Sequence, residues 1–503
     1  MRARILLLLT TLFVLVATTV EGENHPYGVR VVVLDAGHGG NDPGAVYGGL
    51  KEKDITLKVS MVDTAMVSQL GDDALSAVGM AGQWSWLLNI FMFGIASGAS
   101  VFFSQFWGVR DVKGIQRTTG MTLIVSFAIA LPFFLMAIIS PTFVISLFNR
   151  DAAILELGGA YLSIALWSYP AIALNSAVSA TLRSTECVTL PMTVSGVSTL
   201  LNAALNYVFI FGIGPIPSMG VRGAALATVI SAWAGPIFLI IFAIFKKTVL
   251  CASLRAFFSF KKEEFARVFR RMLPVIFNEG LWGLGTWVVG LIYANLGKDE
   301  YGGVTIARTC EMIAFAFIQG MGAACCVMVG KKVGAGETEG AVRDAQRFAI
   351  LVPCLSVFLG GAVLLLRGPI LSLFNMSDSL SEITLATAAG MLLIYAVEIA
   401  LRNIPYIQIV GIFRSGGDTL FASIYDIGCL WLLAIPAALI ASGAGLPFLA
   451  VVAIVYMCED WPKAFFCIMR FKSLKWIKPV TEMGVKGHKA FLEKRKQKNQ
   501  KNA

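Results

Sequence analysis

The sequence predicts an all-α protein whose helices cross a membrane many times and form two repeated bundles. Hydrophobic residues make up 57% of the 503 residues and charged residues only 14%, a balance outside the range of soluble globular proteins. Apolar runs of about twenty residues, the length that crosses a bilayer core about 30 Å thick, recur from residue 80 to residue 472. Short motifs also recur at one fixed separation. These observations predict two six-helix bundles related by a parallel repeat.

The repeat rests on three pairs of matching positions. The members of each pair lie 226 residues apart: Gln69-Leu70-Gly71 with Asn295-Leu296-Gly297, Gly108 with Gly334, and Ser-Leu-Phe-Asn at 146–149 with the same motif at 372–375. A repeat of this length indicates that one structural unit occurs twice. Six helices separate equivalent positions, so both bundles have the same orientation across the membrane, as in several secondary transporters.

Hydropathy and helix-breaking residues predict eleven complete spans after residue 72. They lie near 75–105, 115–146, 155–182, 190–212, 220–246, 269–296, 303–332, 345–373, 384–412, 419–442 and 446–470. One long polar connector, 247–268, separates the fifth span from the sixth. The connector falls between the repeats, so the chain divides into an amino-terminal lobe, 61–246, and a carboxy-terminal lobe, 269–473.

The positive charge of the chain indicates its topology. The net charge of +10 comes largely from Lys and Arg residues clustered in 246–271, 331–347 and 470–501. These clusters alternate with connections that carry few or no positive residues, which is the positive-inside pattern of a plasma-membrane protein. The charge therefore indicates a lipid bilayer as partner, and not nucleic acid. The connector and the basic tail, 474–503, are predicted to be cytoplasmic.

Residues 1–22 have the pattern of a secretory signal. Arg2 and Arg4 precede an apolar stretch, Ile5 to Ala17, but the region after it is a poor small-x-small cleavage site. A cleaved signal peptide and an uncleaved signal anchor both remain open.

From residue 61 to about residue 473 the chain resembles the MATE family of multidrug and toxic-compound extrusion transporters. The residues that carry the resemblance are Val62-Asp63-Thr64-Ala65-Met66, Leu70-Gly71, Gly98-Ala99-Ser100, Ser104-Gln105, Leu273-Pro274, Asn278-Glu279-Gly280-Leu281-Trp282 and Arg414-Ser415-Gly416-Gly417-Asp418-Thr419. The resemblance implies a twelve-helix, two-lobe exporter of the bacterial inner membrane. We expect a monomer that exports amphipathic, often cationic, drug-like compounds with H⁺ or Na⁺ as coupling ion and no other cofactor.

Residues 29–58 resemble a different family. The run from Val31 to Ala45, with Asp35-Ala36-Gly37-His38-Gly39-Gly40 at its centre, and the later Glu52-Lys53-Asp54 are similar to the start of a zinc-dependent N-acetylmuramoyl-L-alanine amidase. This resemblance implies that His38 and Glu52 are zinc-type ligands.

The chain lacks the further ligands that such a zinc site needs. A catalytic zinc takes about three protein ligands and keeps one position open for water. The other two histidines are His25, before the strand-like run, and His488, in the basic tail. The nine cysteines contain no Cys-x-x-Cys pair, so neither a disulfide framework nor a cysteine metal site is predicted. We expect 23–60 to be a truncated, inactive amidase-like fragment without a functional metal site.

The repeat also shows that the first helix of the first bundle is incomplete. The segment 47–62 is the counterpart of the membrane helix at 273–288, yet it contains five charged residues: Lys51, Glu52, Lys53, Asp54 and Lys58. Placing five charges in the centre of a bilayer would cost roughly 12–17 kcal/mol, so this segment is expected to lie outside the membrane. A natural fusion and a frameshifted, recombined or mis-assembled reading frame both remain open as the origin of the junction near residue 60.

Ionisable residues inside apolar spans are the candidate working residues, because each costs about 2.5–3.5 kcal/mol in the bilayer. Glu279 and Asp426 have no opposite charge one helical turn away. The resemblance places a coupling carboxylate at Glu279, whereas for Asp426 functional and structural roles stay open. Glu398 precedes Arg402 by four residues, the spacing of an ion pair on one helix face, so cation coupling and a structural pair are both open.

Two further site residues come from the resemblance alone. Asp63 matches the first-helix aspartate whose protonation or sodium binding drives the family's cycle. Asn206 stands where some prokaryotic members carry a fifth-helix aspartate, so this chain lacks that aspartate pair. Glu311, three residues after Arg308, is interpreted as part of a structural ion pair.

The predicted function is cation-coupled multidrug export by alternating access between the two lobes. Two other functions stay open at this stage. One is a cell-wall amidase, which the fragment at 23–60 resembles in part, and the other is a flippase for lipid-linked precursors.

Overall fold

A computed structural model describes residues 46–47, 50–51, 66–67, 69–148, 150–374 and 381–502. Within these ranges the chain is almost entirely helical. The exception is a pair of two-residue strands in the charged amino-terminal segment, β1 (Val46–Tyr47) and β2 (Leu50–Lys51), which pair antiparallel. The predicted signal segment lies outside the described residues.

The amino-terminal lobe has five complete spans. Its helices are α1 (Asp72–Gly108), α2 (Val112–Ile139), the short α3 (Pro141–Ser146), α4 (Ala152–Ala165), α5 (Tyr169–Ser184), α6 (Thr189–Phe211) and α7 (Gly220–Phe245). A 3₁₀ turn, Leu166–Ser168, joins α4 to α5 and makes them one span. Asp111 begins α2 and Asp151 begins α4, each accepting hydrogen bonds from the first turn through its carboxylate.

The carboxy-terminal lobe has six spans. After the connector helix α8 (Leu254–Phe257) come α9 (Lys262–Leu296), α10 (Lys298–Gly334), α11 (Thr338–Phe374), α12 (Glu382–Tyr406), α13 (Arg414–Gly416), α14 (Thr419–Gly428), α15 (Ile435–Gly443), α16 (Phe448–Lys472) and the tail helix α17 (Glu482–Asn502). A π-helical turn, Ile407–Phe413, joins α12 to α13, and a second, Cys429–Ala434, joins α14 to α15. π-turns are frequent at functional sites.

All eleven predicted spans form helices at the expected places. Ten helical segments in the described part of the chain are long and apolar enough to cross a bilayer. The eleventh, α16, has the necessary 25 residues but carries Glu459, Asp460 and Lys463 near its middle. The sequence prediction counted this helix among the apolar spans and did not single out its charges.

The predicted repeat is confirmed in the helix boundaries. Helices α1 and α10 have 37 residues each, and both ends of one lie 226 positions from the corresponding ends of the other. The first residues of α2 and α11, Val112 and Thr338, keep the same offset.

Contacts between α1 and α10 mark the pseudo-two-fold axis of the repeat. Ser100 Oγ lies 3.4 Å from Cys326 Sγ, its equivalent 226 positions later. One turn further on, Ser104 packs against Gly330, again its own equivalent. A contact between equivalent positions must lie on the axis that relates the two lobes.

Gly108 and Gly334 let the two helices approach closely at this crossing. A Cβ on Gly108 would overlap the carbonyl oxygen of Lys331, and a Cβ on Gly334 would overlap that of Gln105. The two contacts are equivalent to each other under the repeat. Small residues at helix crossings in membranes allow this backbone contact.

The lobes are joined at the end of the bundle that the charge pattern places in the cytoplasm. Gln105 Nε2 of α1 donates to the Ser415 carbonyl (2.8 Å), and the Val480 amide donates to Gln105 Oε1 (2.7 Å). Lys331 Nζ lies 2.7 Å from Glu186 Oε1, which joins α10 to the loop after α5. The segment between α16 and α17 thus lies across both lobes.

Gly334→Leu is expected to separate α1 from α10 and destabilise the protein. Overpacking typically costs about 1–3 kcal/mol of the free energy of unfolding, and here the obstacle is backbone that cannot rotate away. The melting temperature of the purified protein measures this loss. Gly79→Leu is the matched control, since no atom lies within 4 Å of a Cβ at Gly79. Equal melting temperatures for both variants would contradict the close crossing.

The Glu186 ion pair predicts a pH-dependent contribution to stability. Burial alone would raise the pKa of Glu186, but hydrogen bonds from Lys331 and Trp107 outweigh it and hold the pKa below the ordinary value. A depressed carboxyl pKa stabilises the folded state above the unfolded pKa of about 4.3, and this contribution is lost as pH falls through the folded value.

Glu186→Gln should therefore lower the melting temperature at about pH 7, and the difference from wild type should shrink below about pH 4. Glu493→Gln, at an exposed position of α17, is the control and should change the melting temperature at neither pH. If the melting temperatures of wild type and Glu186→Gln differed by the same amount at both pH values, the proposed contribution of the ion pair would be contradicted.

Candidate functional site

Glu279 forms a buried ion pair at the contact between the lobes. It lies in the middle of α9, where its side chain packs against Gly94 of α1. Glu279 Oε1 is 2.6 Å from Arg414 Nη2, and both side chains are buried, Arg414 to 1% exposure. Arg414 Nη1 also donates to Ser97 Oγ of α1 (2.9 Å). The guanidinium therefore touches both lobes.

The sequence did not reveal this pair. Arg414 follows Glu279 by 135 positions, and it starts α13 after the π-turn, so no helical spacing relates the two residues. The Arg-Ser-Gly-Gly-Asp-Thr run was quoted for its resemblance only. The signal available in the sequence was an arginine directly after the apolar span predicted at 384–412.

Asp426 joins the same polar cluster from α14. Asn278 Nδ2, next to Glu279 on α9, donates to Asp426 Oδ2 (2.9 Å). The other carboxylate oxygen lies 2.9 Å from Lys463 Nζ of α16, which also contacts Glu459 Oε1 at 2.8 Å. The structure thus brings the predicted residues Glu279 and Asp426 together, and it places a lysine between two carboxylates.

Glu398 does not make the ion pair that its spacing suggested. Both oxygens of its carboxylate share the single N–H of Trp461 Nε1 on α16, with N···O distances of 3.3 and 3.2 Å. Arg402 reaches across to α10 instead, where Nη1 lies 3.5 Å from Glu311 Oε2. The four-residue spacing permits a pair, but the more buried carboxylate of Glu311 attracts the guanidinium more strongly.

Glu311 has a different partner from the one predicted on its own helix. In addition to Arg402, it accepts a hydrogen bond from the Tyr456 hydroxyl at 2.9 Å. Its partners therefore lie on α12 and α16 and not at Arg308, and its structural role stays a prediction.

Asp460 is a buried carboxylate that the sequence prediction missed. It lies on α16, is 3% exposed, and its Oδ2 has no hydrogen-bond partner among the described residues. Glu459, Asp460 and Lys463 together put three ionisable side chains within about one turn of an apolar span. That cluster was the signal that could have identified them.

Asn206 belongs to a polar region of the other lobe. Its Nδ2 lies 3.4 Å from Asn202 Oδ1, and Asn202 in turn donates to Ser231 Oγ of α7 (3.1 Å). Asn202 and Ser231 line a cavity of about 300 Å³ between α1, α5, α6 and α7. Its polar lining consists of amides, hydroxyls and one arginine: Asn89, Asn175, Ser179, Arg183, Ser195, Ser198, Thr199, Asn202, Thr228 and Ser231.

Three predicted residues cannot be placed. Asp63, His38 and Glu52 lie outside the described residues. Of the segment just after Asp63, Met66 and Val67 are helical.

Comparison with protein families identifies two regions of the chain. The MatE family model matches residues 55–208 and 274–440, well over half of the chain. A model of N-acetylmuramoyl-L-alanine amidase matches residues 32–67. The two matches overlap at 55–67, around the position where the repeat first fails.

Individual relatives match over most of the length. A probable multidrug resistance protein NorM of Thermotoga maritima is 23% identical over 77% of this chain and 82% of its own length. A probable multidrug resistance protein YoeA of Bacillus subtilis is 26% identical over 74% of this chain and 80% of its own. A solved structure described as the outward-facing conformation of a multidrug resistance MATE transporter superposes with a TM-score of 0.74 at 20% identity, covering 84% of this chain and 94% of that one.

The repeat, the helix order and the family match agree. The chain belongs to the MatE family of multidrug and toxic-compound extrusion transporters and is a multi-pass protein of the bacterial inner membrane.

Proposed function

We propose that this protein exports amphipathic, often cationic, organic compounds in exchange for H⁺ or Na⁺, by alternating access between its two lobes. The observation that carries the proposal is the buried Glu279–Arg414 pair at the lobe contact. A cation that binds to Glu279 competes directly with the guanidinium of Arg414, which also touches the other lobe.

The energetics of the pair make it suitable as a switch. Removing one partner of a buried ion pair typically costs about 3–5 kcal/mol, because the other charge is left uncompensated. A proton or Na⁺ bound at Glu279 leaves the charge of Arg414 uncompensated in the same way. A change of this size is close to what is needed to invert the populations of two conformations, about 5.5 kcal/mol for a shift from 1:99 to 99:1.

The described lobe contacts fit the outward-facing half of such a cycle. Gln105, Glu186 and Lys331 join the lobes at the predicted cytoplasmic end. Towards the other end, the contacts of α1 with α9 reach Ile90, which packs against Gly283. A rocking motion about α1, α9 and α10 would open the cytoplasmic end.

The polar cavity of the amino-terminal lobe is the proposed substrate compartment. Its volume of about 300 Å³ lies at the lower end of the range for drug-sized ligands, about 300–1,000 Å³. Carbonyl oxygens of Asn89, Asn175 and Asn202 can accept hydrogen bonds from an ammonium group. Asn206 holds Asn202 in place, so its proposed role is to position a binding residue.

The amidase alternative is not favoured. The matching segment, 32–67, ends where the transporter begins, and it brings His38 and Glu52 without the later ligands of a catalytic zinc. The contributions of Asp63 to coupling and of Glu398 to cation binding stay predictions.

Glu279→Gln should abolish export while leaving membrane insertion intact. The amide keeps the shape of the side chain but carries no charge to hold Arg414 or to take up a cation. In cells that express the chain, ethidium accumulation should be lower than in cells with empty vector, and the variant should return it to the empty-vector level.

Glu382→Gln is the matched control for this experiment. Glu382 is an exposed residue in the first turn of α12, away from the lobe contact, and its variant should export like wild type. Export retained by Glu279→Gln would remove this residue from the mechanism. A chain that never lowers ethidium accumulation would favour a precursor flippase over a drug exporter.

A further inference from the structure

The connection between α16 and α17, residues 473–481, is buried although it is not helical. Trp476, Ile477 and Thr481 within it all have buried side chains. Connections between helices usually run over the protein surface, because their backbone groups need water or other partners. We call residues 473–481 the strap. Since the strap is buried, protein groups have to bind its backbone, and these groups come from both lobes.

Most of the strap is fixed to the carboxy-terminal lobe. The Lys478 amide donates to the Gly416 carbonyl (2.7 Å), and Ile477 pairs with Gly417 in an isolated β-bridge. The indole of Trp476 packs so closely against α13 that a Cβ on Gly416 would overlap it. These contacts attach the strap to α13 through both backbone and side chain.

Asp418 adds an ionic attachment at the same place. Its buried carboxylate lies 2.7 Å from Arg470 Nη2, at the end of α16, and 2.6 Å from Lys478 Nζ of the strap. Hydrogen bonds between charged groups are roughly twice as strong as those between neutral groups. The end of α16, α13 and the strap therefore form one unit.

The amino-terminal lobe binds this unit through the side chain of Gln105. This glutamine of α1 is fully buried, and its Nε2 donates to the Ser415 carbonyl of α13 (2.8 Å). Its Oε1 accepts from the Val480 amide of the strap (2.7 Å). The Val480 side chain also packs against the apolar cluster that includes Phe102 and Phe103 of α1. One neutral amide group thus binds α13 and the strap at the same time.

Separation of the lobes at the cytoplasmic end has to break both hydrogen bonds of Gln105. They are weaker than the attachment of the strap to its own lobe, because the bonds of Asp418 join charged groups. Water can replace both partners of a neutral amide, and no uncompensated charge is left behind. The strap is therefore expected to leave Gln105 and to stay with α13.

The same stretch of α13 connects the strap to the buried ion pair. Arg414 binds Glu279, the next residue accepts from Gln105, and Gly416 accepts from the strap. A displacement of α13 that follows the loss of the Arg414 ion pair would move Ser415 and the strap together. Both hydrogen bonds of Gln105 would then be strained at once.

We propose that Gln105 and the strap form a latch that holds the cytoplasmic end closed, and that release of the strap from Gln105 opens this end. The inference rests on the proposed alternating-access function and deepens it, because it names the contact that has to break. The latch is closed in the outward-facing half of the cycle and open in the inward-facing half.

The test measures how fast N-ethylmaleimide alkylates a cysteine introduced by Val480→Cys, in the full chain with its native cysteines replaced and in membrane vesicles. Gln105→Leu removes both hydrogen bonds and should raise the alkylation rate at position 480 by at least about fivefold, as expected for the loss of two neutral hydrogen bonds. Gln105→Glu keeps an acceptor for the amide at 480 but cannot donate to Ser415. Its rate should lie between the other two.

Gln116→Leu is the matched control. Gln116 is a buried glutamine of α2, and its Nε2 donates to the Val249 carbonyl of the connector (2.9 Å), away from the strap. The substitution makes the same chemical change and removes a buried hydrogen bond. The alkylation rate at position 480 should stay at the value of the Val480→Cys parent.

Cys467, retained as the only cysteine, distinguishes release from unfolding of the strap. It is buried on α16, in the apolar cluster that also contains Trp476 and Ile477. It should stay unreactive when Gln105→Leu is introduced, because the strap remains on its own lobe.

Three results would overturn the latch. They are an unchanged rate at position 480 in Gln105→Leu, an equal increase in Gln116→Leu, and a reactive Cys467 in Gln105→Leu. Ethidium export by the unaltered chain, measured in the same vesicles, tests the proposed function separately. A chain that exports no ethidium would refute that function, whereas the alkylation rates would still decide whether the latch exists.

Discussion

Arg414 is the residue on which the arrangement of the two lobes depends. A guanidinium that is 1% exposed inside a membrane protein must be neutralised, and Glu279 does this at 2.6 Å. The pair fixes α13 against α9, and the hydrogen bond to Ser97 fixes both against α1. Since α1 belongs to the other lobe, a change in the charge balance of this ion pair also changes the contact between the lobes.

The two lobes share helix positions but differ in their ionisable residues. Helices α1 and α10 follow the 226-residue register to the residue, and Ser100 and Cys326 meet on the axis between them. On these two helices Glu311 of α10 corresponds to Ser85 of α1, so this acid has no acidic counterpart in the amino-terminal lobe. The carboxy-terminal lobe holds the cluster of ion pairs, and the amino-terminal lobe has a cavity lined by amides, hydroxyls and Arg183.

Much of the fold followed from the sequence because membrane helices have a simple signal. Length and hydropathy placed eleven spans within a few residues, and the repeat placed Gly108 and Gly334 at equivalent positions before their contact was known. Single acids in apolar runs, Glu279 and Asp426, were found for the same reason.

The partners of those acids could not be predicted. Arg414 and Lys463 come from distant parts of the chain, and side-chain spacing along one helix carries no information about them. That spacing was misleading for Glu398, because Arg402 turns towards another helix. Asp460 was overlooked because the sequence prediction counted α16 among the apolar spans and did not single out its charges. The amidase-like segment, 23–60, lies outside the 226-residue repeat, so the repeat predicts nothing about its structure.

The central claim is that the charge state of Glu279 controls the contact between the lobes. The most direct measurement is the distance distribution between spin labels at Lys113 and Glu339, two exposed positions at the cytoplasmic end of different lobes, in a variant whose native cysteines are replaced. With Glu279 intact, the account predicts a single short distance, and with Glu279→Gln a second, longer population. Identical distributions for the two proteins would contradict it.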